Sequence, residues 1–120
     1  MKFTLPMPPG INRTYGINVD SKSPMYKKKR ARDWEKEAGY TIIRQWPGRR
    51  DPMQGPVKVG IHWYYKYNID IDAGLKILLD LLQKMRVYED DRQVRKIMFI
   101  DIDPDPENPR VEVIVMPKLL

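Results

Sequence analysis

The sequence predicts an α+β fold: one domain over residues 1–120, a mixed sheet of about four strands packed with two main helices. Three observations carry this. Residues 56–66 alternate, with Val57, Val59, Ile61 and Trp63 facing one way and Lys58, His62 and Tyr64 the other, which is the pattern of a half-buried strand. Residues 73–85 set Leu75, Leu78, Leu79, Leu82 and Met85 at the spacing of a buried helical stripe. Residues 94–102 and 110–116 read as two further strands, joined by a proline-rich turn and capable of forming a hairpin.

The remaining elements follow in order. Residues 2–7 form a short strand with Phe3 and Leu5 on one face, and Pro6 puts its end at a sheet edge or terminus. Pro8-Pro9-Gly10 is a turn signal, and residues 16–26 have no clean period and read as a mobile loop. From Lys27 to Trp46 the pattern is helical, with Ala31, Trp34, Ala38, Ile42 and Gln45 on one stripe, and Pro47-Gly48 ends it. Trp63, Tyr64, Tyr65 and Tyr67 suit a packed sheet better than a base-stacking platform. His62 reads as a surface residue. The acids Asp101, Asp103, Asp105 and Glu107 lie among prolines where a calcium loop needs glycine, so this stretch reads as a solvated turn.

Composition narrows the function classes. With 42% hydrophobic residues the chain can build one modest core, and with no cysteine it has neither disulfides nor a thiolate metal site. The first ten residues lack the apolar run of a signal peptide, and no run reaches membrane-span length, so a cytoplasmic location with no membrane partner is expected. The net charge of +6 favours a polyanion as partner. The basic residues gather at Lys27, Lys28, Lys29, Arg30, Arg32, Arg49 and Arg50, whereas most acids lie from Asp70 onward. A basic half for phosphate beside an acidic half for a cation suits a metal-dependent nuclease.

The acidic half centres on Asp70-Ile71-Asp72-Ala73-Gly74-Leu75-Lys76. Residues two apart in extended chain point the same way, so Asp70 and Asp72 can converge at a strand end. Once the helix starts, Asp72 and Lys76 share a face. A chain returning through that helix could bring Asp90-Asp91 to the same mouth. Like charges repel by about 4 kcal/mol at about 4 Å and an effective dielectric near 20, so such a cluster calls for a cation, a proton or a lysine. A hard ion such as Mg2+ suits carboxylates, with Mn2+ as a substitute, and no small-molecule cofactor is expected. A purely structural reading also stands: Asp72 as the helix N-cap, Lys76 pairing with Asp72 and Asp80, and Asp90-Asp91 as a polar loop.

The order of these pieces resembles the RusA-type Holliday junction resolvases across nearly the whole chain. The shared marks are Pro8-Pro9-Gly10-Ile11-Asn12-Arg13-Thr14-Tyr15 near the start, Asp70-Ile71-Asp72-Ala73-Gly74-Leu75-Lys76 opening a leucine-rich helix, and Asp90-Asp91-Arg92-Gln93-Val94 after it. The resemblance implies that Asp70, Asp72 and Asp91 bind metal, that Asp90 assists them, and that Lys76 is essential to catalysis. It implies a homodimer cutting four-way DNA junctions with Mg2+; the basic segment 22–50, with Asn12 and Arg13, is expected to grip the DNA. One position departs from the pattern: the family usually has Asn where this chain has Ala73. A non-catalytic module that binds branched DNA, and more distantly a basic interaction protein, are the alternatives.

Overall fold

The computed structural model describes residues 1–8, 24–46, 51–68 and 70–119, with side chains of the first helix from Lys29 onward. The elements are β1 (Lys2–Leu5), α1 (Pro24–Gln45), β2 (Val57–Tyr65), α2 (Ile71–Lys84), a 3-10 helix (Asp91–Gln93), β3 (Val94–Pro104) and β4 (Arg110–Pro117). The strands make one mixed sheet in the order β1-β4-β2-β3. β2 runs parallel to β3 and antiparallel to β4, and β1 runs antiparallel to β4. The α+β fold of two helices and four strands is the one the sequence indicates.

One face of the sheet is dry. Val57, Val59, Ile61 and Trp63 on β2 and Val111, Val113 and Val115 on β4 are all buried. Trp34, Ala38 and Ile42 from α1 and Leu78, Leu81 and Leu82 from α2 enter the same core. Each fully buried Leu, Ile or Val contributes about 1.5–3 kcal/mol of transfer free energy, so this shared face is the main tie between sheet and helices. Lys84 Nζ donates to Glu35 Oε1 at 2.8 Å, linking the two helices at the surface.

The helices begin earlier than their apolar stripes suggest. α1 starts at Pro24 rather than Lys27, and Pro suits a first helical position because the N–H it lacks would be unbonded there anyway. The expected loop 16–26 therefore ends inside α1, and residues 9–23 lie outside the described residues. α2 starts at Ile71 rather than Ala73, because Asp70 caps it. Arg86, at φ 60, takes the left-handed conformation just beyond α2 that Gly more often fills.

β3 and β4 do not form a hairpin. They flank β2 on opposite sides, and the segment joining them passes over its end, where Asp105 N–H donates to Tyr65 O at 2.9 Å. Pro104, Pro106 and Pro109 fix φ and remove donors, which denies the chain a tight two-residue turn. Arg110 Nη1 ties the arch down, donating to Asp105 Oδ2 at 2.8 Å and to Asn108 O at 3.0 Å. Two acids of this stretch thus take local partners: Asp105 pairs with Arg110, and Asp103 Oδ2 lies 2.6 Å from His62 Nε2. Tyr64 stacks on His62 with ring centroids 4.0 Å apart and carries the Arg110 guanidinium over its own ring.

Candidate active site

α2 presents Asp72, Leu75, Lys76, Leu79 and Asp80 along one stripe, because residues three and four apart fall on the same helix face. Together with Asp91 from the 3-10 helix, these six residues line an open cavity of about 290 Å³. Asp72 and Lys76 are exposed, Asp80 and Asp91 are half-buried, and Leu75 and Leu79 pack partly on the core. The leucine stripe that anchors α2 therefore also aims its acidic stripe at Asp91.

Two hydrogen bonds fix the opposite wall. Asp91 N–H donates to Gln83 Oε1 at 2.8 Å, and Tyr88 Oη donates to Leu79 O at 2.9 Å. Tyr88 is fully buried. Burial pushes its phenol well above the ordinary 10.0, and the Asp91 and Asp80 carboxylates push it further the same way. This places both acids within electrostatic reach of one ring, and it keeps Tyr88 a neutral donor.

Lys76 makes no ion pair or hydrogen bond among the described residues. The expected surface pairs with Asp72 and Asp80 are not formed. An exposed ammonium between two carboxylates of its own helix remains available to an incoming anion.

Asp70 plays another part. Its Oδ1 accepts from the N–H of Asp72 at 3.1 Å and of Ala73 at 3.5 Å, so Asp70, not Asp72, is the N-cap of α2. It stands beside the cavity without lining it. Ala73 sits where the family motif has Asn, and it packs partly on the core. With Asp70 capping, no side chain is needed at Ala73 for that purpose.

Asp90 and Asp91 line different cavities. Asp90 caps the 3-10 helix, accepting from Arg92 N–H at 2.8 Å, and its Oδ2 accepts from Arg92 Nη2 at 2.8 Å and Nε at 3.1 Å. The bonds from Arg92 pull its carboxyl down to about 2 from the ordinary 3.8. Asp90 lines a different cavity with Gly55, Pro56, Arg92, Gln93 and Arg95. Its carboxylate is thus engaged by Arg92 on the neighbouring cavity, while Asp91 lines the cavity of Asp72 and Lys76. Gln93 locks the turn: its Oε1 accepts from Glu89 and Asp90 N–H, and its Nε2 donates to Met53 O and Gly55 O.

Asp80, Gln83 and Tyr88 were not singled out from the sequence as parts of this site. The four-residue steps Asp72, Lys76, Asp80 could have pointed to Asp80. Nothing local points to Gln83 or Tyr88, whose partners depend on the return of the chain. Of the expected DNA contacts, Lys29 and Arg32 are exposed on α1 and Arg30 is half-buried. Asn12, Arg13, Arg49, Arg50 and the side chains of Lys27 and Lys28 lie outside the described residues.

Among the described residues, no group of three or more Asp, Glu or His side chains converges closely enough to enclose a metal ion. The donor chemistry nonetheless fits Mg2+. That ion keeps several waters and needs only one or two protein carboxylates, with phosphate oxygens completing its shell. Asp72 and Asp91 on one open cavity supply that much. No described helix is long and apolar enough to cross a membrane. No curated protein matches the chain. The family model described as Endodeoxyribonuclease RusA matches residues 6–116.

Proposed function

The chain belongs to the RusA endodeoxyribonuclease family, and from that membership we propose a Mg2+-dependent endonuclease that resolves four-way DNA junctions by paired phosphodiester hydrolysis. The family is one of crossover junction endodeoxyribonucleases. The observation that carries the finer reading is the meeting of Asp72, Lys76 and Asp91 on one cavity.

Asp72 and Asp91 would hold the ion, with Asp70 adjoining at the helix cap. The bound ion supplies an activated water and a counter-charge for the phosphate. Lys76 reaches into the same opening with no competing partner among the described residues and stabilises negative charge on the phosphate as it develops. Leu75 and Leu79 give the cavity an apolar floor, which lowers the local dielectric and strengthens the Lys76–phosphate attraction. Exposed Lys29 and Arg32 on α1 add phosphate contacts away from the cut. A junction offers two equivalent strands, so a homodimer with two equivalent sites is the assembly that fits paired cutting.

A synthetic four-way junction incubated with Mg2+ tests this. Symmetric nicks in opposed strands are expected. Asp72→Asn abolishes cutting and keeps or tightens binding, since it removes a charge that repels phosphate. Junction binding without nicks by the unaltered chain, over a range of pH and metals, rules out the nuclease. The second reading, a binding module without chemistry, has Ala73 in its favour, and it requires salt-sensitive junction binding that ignores both Mg2+ and Asp72.

A further inference from the structure

The two rims of the sheet end differently. At the β1 rim, Gln45 Oε1 accepts from Thr4 N–H at 2.8 Å and Gln45 Nε2 donates to Thr4 O at 2.9 Å. A side-chain amide there takes the place of a neighbouring strand. β3 forms the other rim, 11 residues long, and among the described residues it pairs with β2 on one side only. An edge strand of this length with an apolar centre, Ile97-Met98-Phe99-Ile100, is a template for strand addition unless something blunts it.

The charges on β3 are sorted. Arg95 and Lys96 lie at its start, and Asp101 and Asp103 lie near its end, all four exposed. Arg95, Lys96 and Asp101 have no hydrogen-bond or ion-pair partner among the described residues. A second β3 laid alongside in the same direction would set like charges together. Laid antiparallel about a two-fold axis, the basic start of each strand meets the acidic end of the other, and the match occurs twice.

The register adds a stricter condition. An axis between Met98 and Phe99 sets Lys96 opposite the partner's Asp101, and Ile97 opposite the partner's Ile100. Opposed residues must share a face, yet residues five apart in a regular strand lie on opposite faces. Here the pairing with β2 shifts between Val59 and Gly60, and Met98 is the extra residue on β3. That shift puts Lys96 and Asp101 on the same face, beside Lys58 and His62, while Ile97 and Ile100 both pack toward the core. Pro104 ends the strand with a residue that has no N–H to pair.

We propose that β3 is the edge through which two copies of this chain join, antiparallel, into one continuous sheet. The proposal rests on the two-fold assembly described above and adds the surface that makes it. Asp91 stands just ahead of β3, so this joining leaves one acidic cavity toward each end of the paired strands. The two strand starts then lie about 30 Å apart along the strand direction, at about 3.3 Å per residue.

The test uses the full chain and two variants, Arg95→Glu/Lys96→Glu and Asp101→Lys/Asp103→Lys, with circular dichroism as the check on folding and light scattering for mass. The unaltered chain should have twice 14.3 kDa. Each variant alone should fall to the monomer mass, because its β3 then carries one sign of charge throughout. An equal mixture of the two should regain the doubled mass. Either variant keeping the doubled mass alone, or a mixture that stays monomeric, overturns the β3 edge while leaving two-fold assembly through another surface intact. A monomeric unaltered chain overturns both. Asp103 also pairs with His62, so Asp101→Lys by itself is the milder variant, and it should weaken self-association about tenfold or more.

Discussion

Asp91 is fastened to α2 by Gln83: its N–H donates to Gln83 Oε1 at 2.8 Å, one turn beyond Asp80 on the same helix. The bond sets the distance between the 3-10 helix and the stripe of Asp72, Lys76 and Asp80.

Replacing Gln83 by Ala should therefore cost little stability and much activity. The lost hydrogen bond is worth about 0.5–1.5 kcal/mol. Cleavage should slow by about 10- to 100-fold, as expected when a reacting group shifts by around an ångström. Single-turnover cutting beside a thermal melt separates the two effects. An unchanged rate would mean that Asp91 needs no such tether.

Tyr88 makes a prediction with a definite sign. Its folded-state pKa lies above the ordinary 10.0, so the folded chain keeps a proton that the unfolded chain loses. The stability this provides is whole below pH 10.0 and is lost as pH rises above it. Tyr88→Phe should destabilise the chain by about 1 kcal/mol near neutrality, through loss of the bond to Leu79 O. It should also flatten the decline in stability above about pH 10. Urea unfolding on both sides of that value reads both effects.

Asp70 has two candidate roles, and two substitutions divide them. Asn caps helices as well as Asp does, whereas Ala loses about 1 kcal/mol. If Asp70 only caps α2, Asp70→Asn should melt and cut like the unaltered chain. If it also serves the ion, Asp70→Asn keeps its melting point and loses cutting together with Mn2+ affinity. The proposed function predicts the second result.

Asp90 should remain ionised far into acid. Its carboxyl is lowered to about 2 in the folded state against an ordinary 3.8, so what it contributes is present above 3.8 and lost as pH falls toward 2. Arg92→Ala should return its titration toward the ordinary value. Carboxyl chemical shifts followed through an acid titration show this directly.

Much of the fold was legible because burial writes a period into sequence. The alternation of Val57, Val59, Ile61 and Trp63 and the spacing of Leu78 and Leu82 each name the buried face. Neither says which strands become neighbours, which is why β3 and β4 read as a hairpin while β2 in fact lies between them. The site followed the same rule. Asp72 and Lys76 share a helix turn, so their common face could be read locally. Asp90 and Asp91 are adjacent in sequence, and only the turn held by Gln93 sends one to each cavity. Gln83 and Tyr88 act on partners reached after the chain reverses, which no local pattern records.

The proposed function places cutting at the acidic cavity of α2 and not at its neighbour. Four-way junction cleavage by Asp91→Asn and Asp90→Asn, measured side by side with Mg2+, tests it most directly, since Asn keeps the cap at Asp90. Asp91→Asn should abolish cutting, and Asp90→Asn should cut within a few-fold of the unaltered chain. Equal loss in both, or activity that survives Asp91→Asn, would contradict the account.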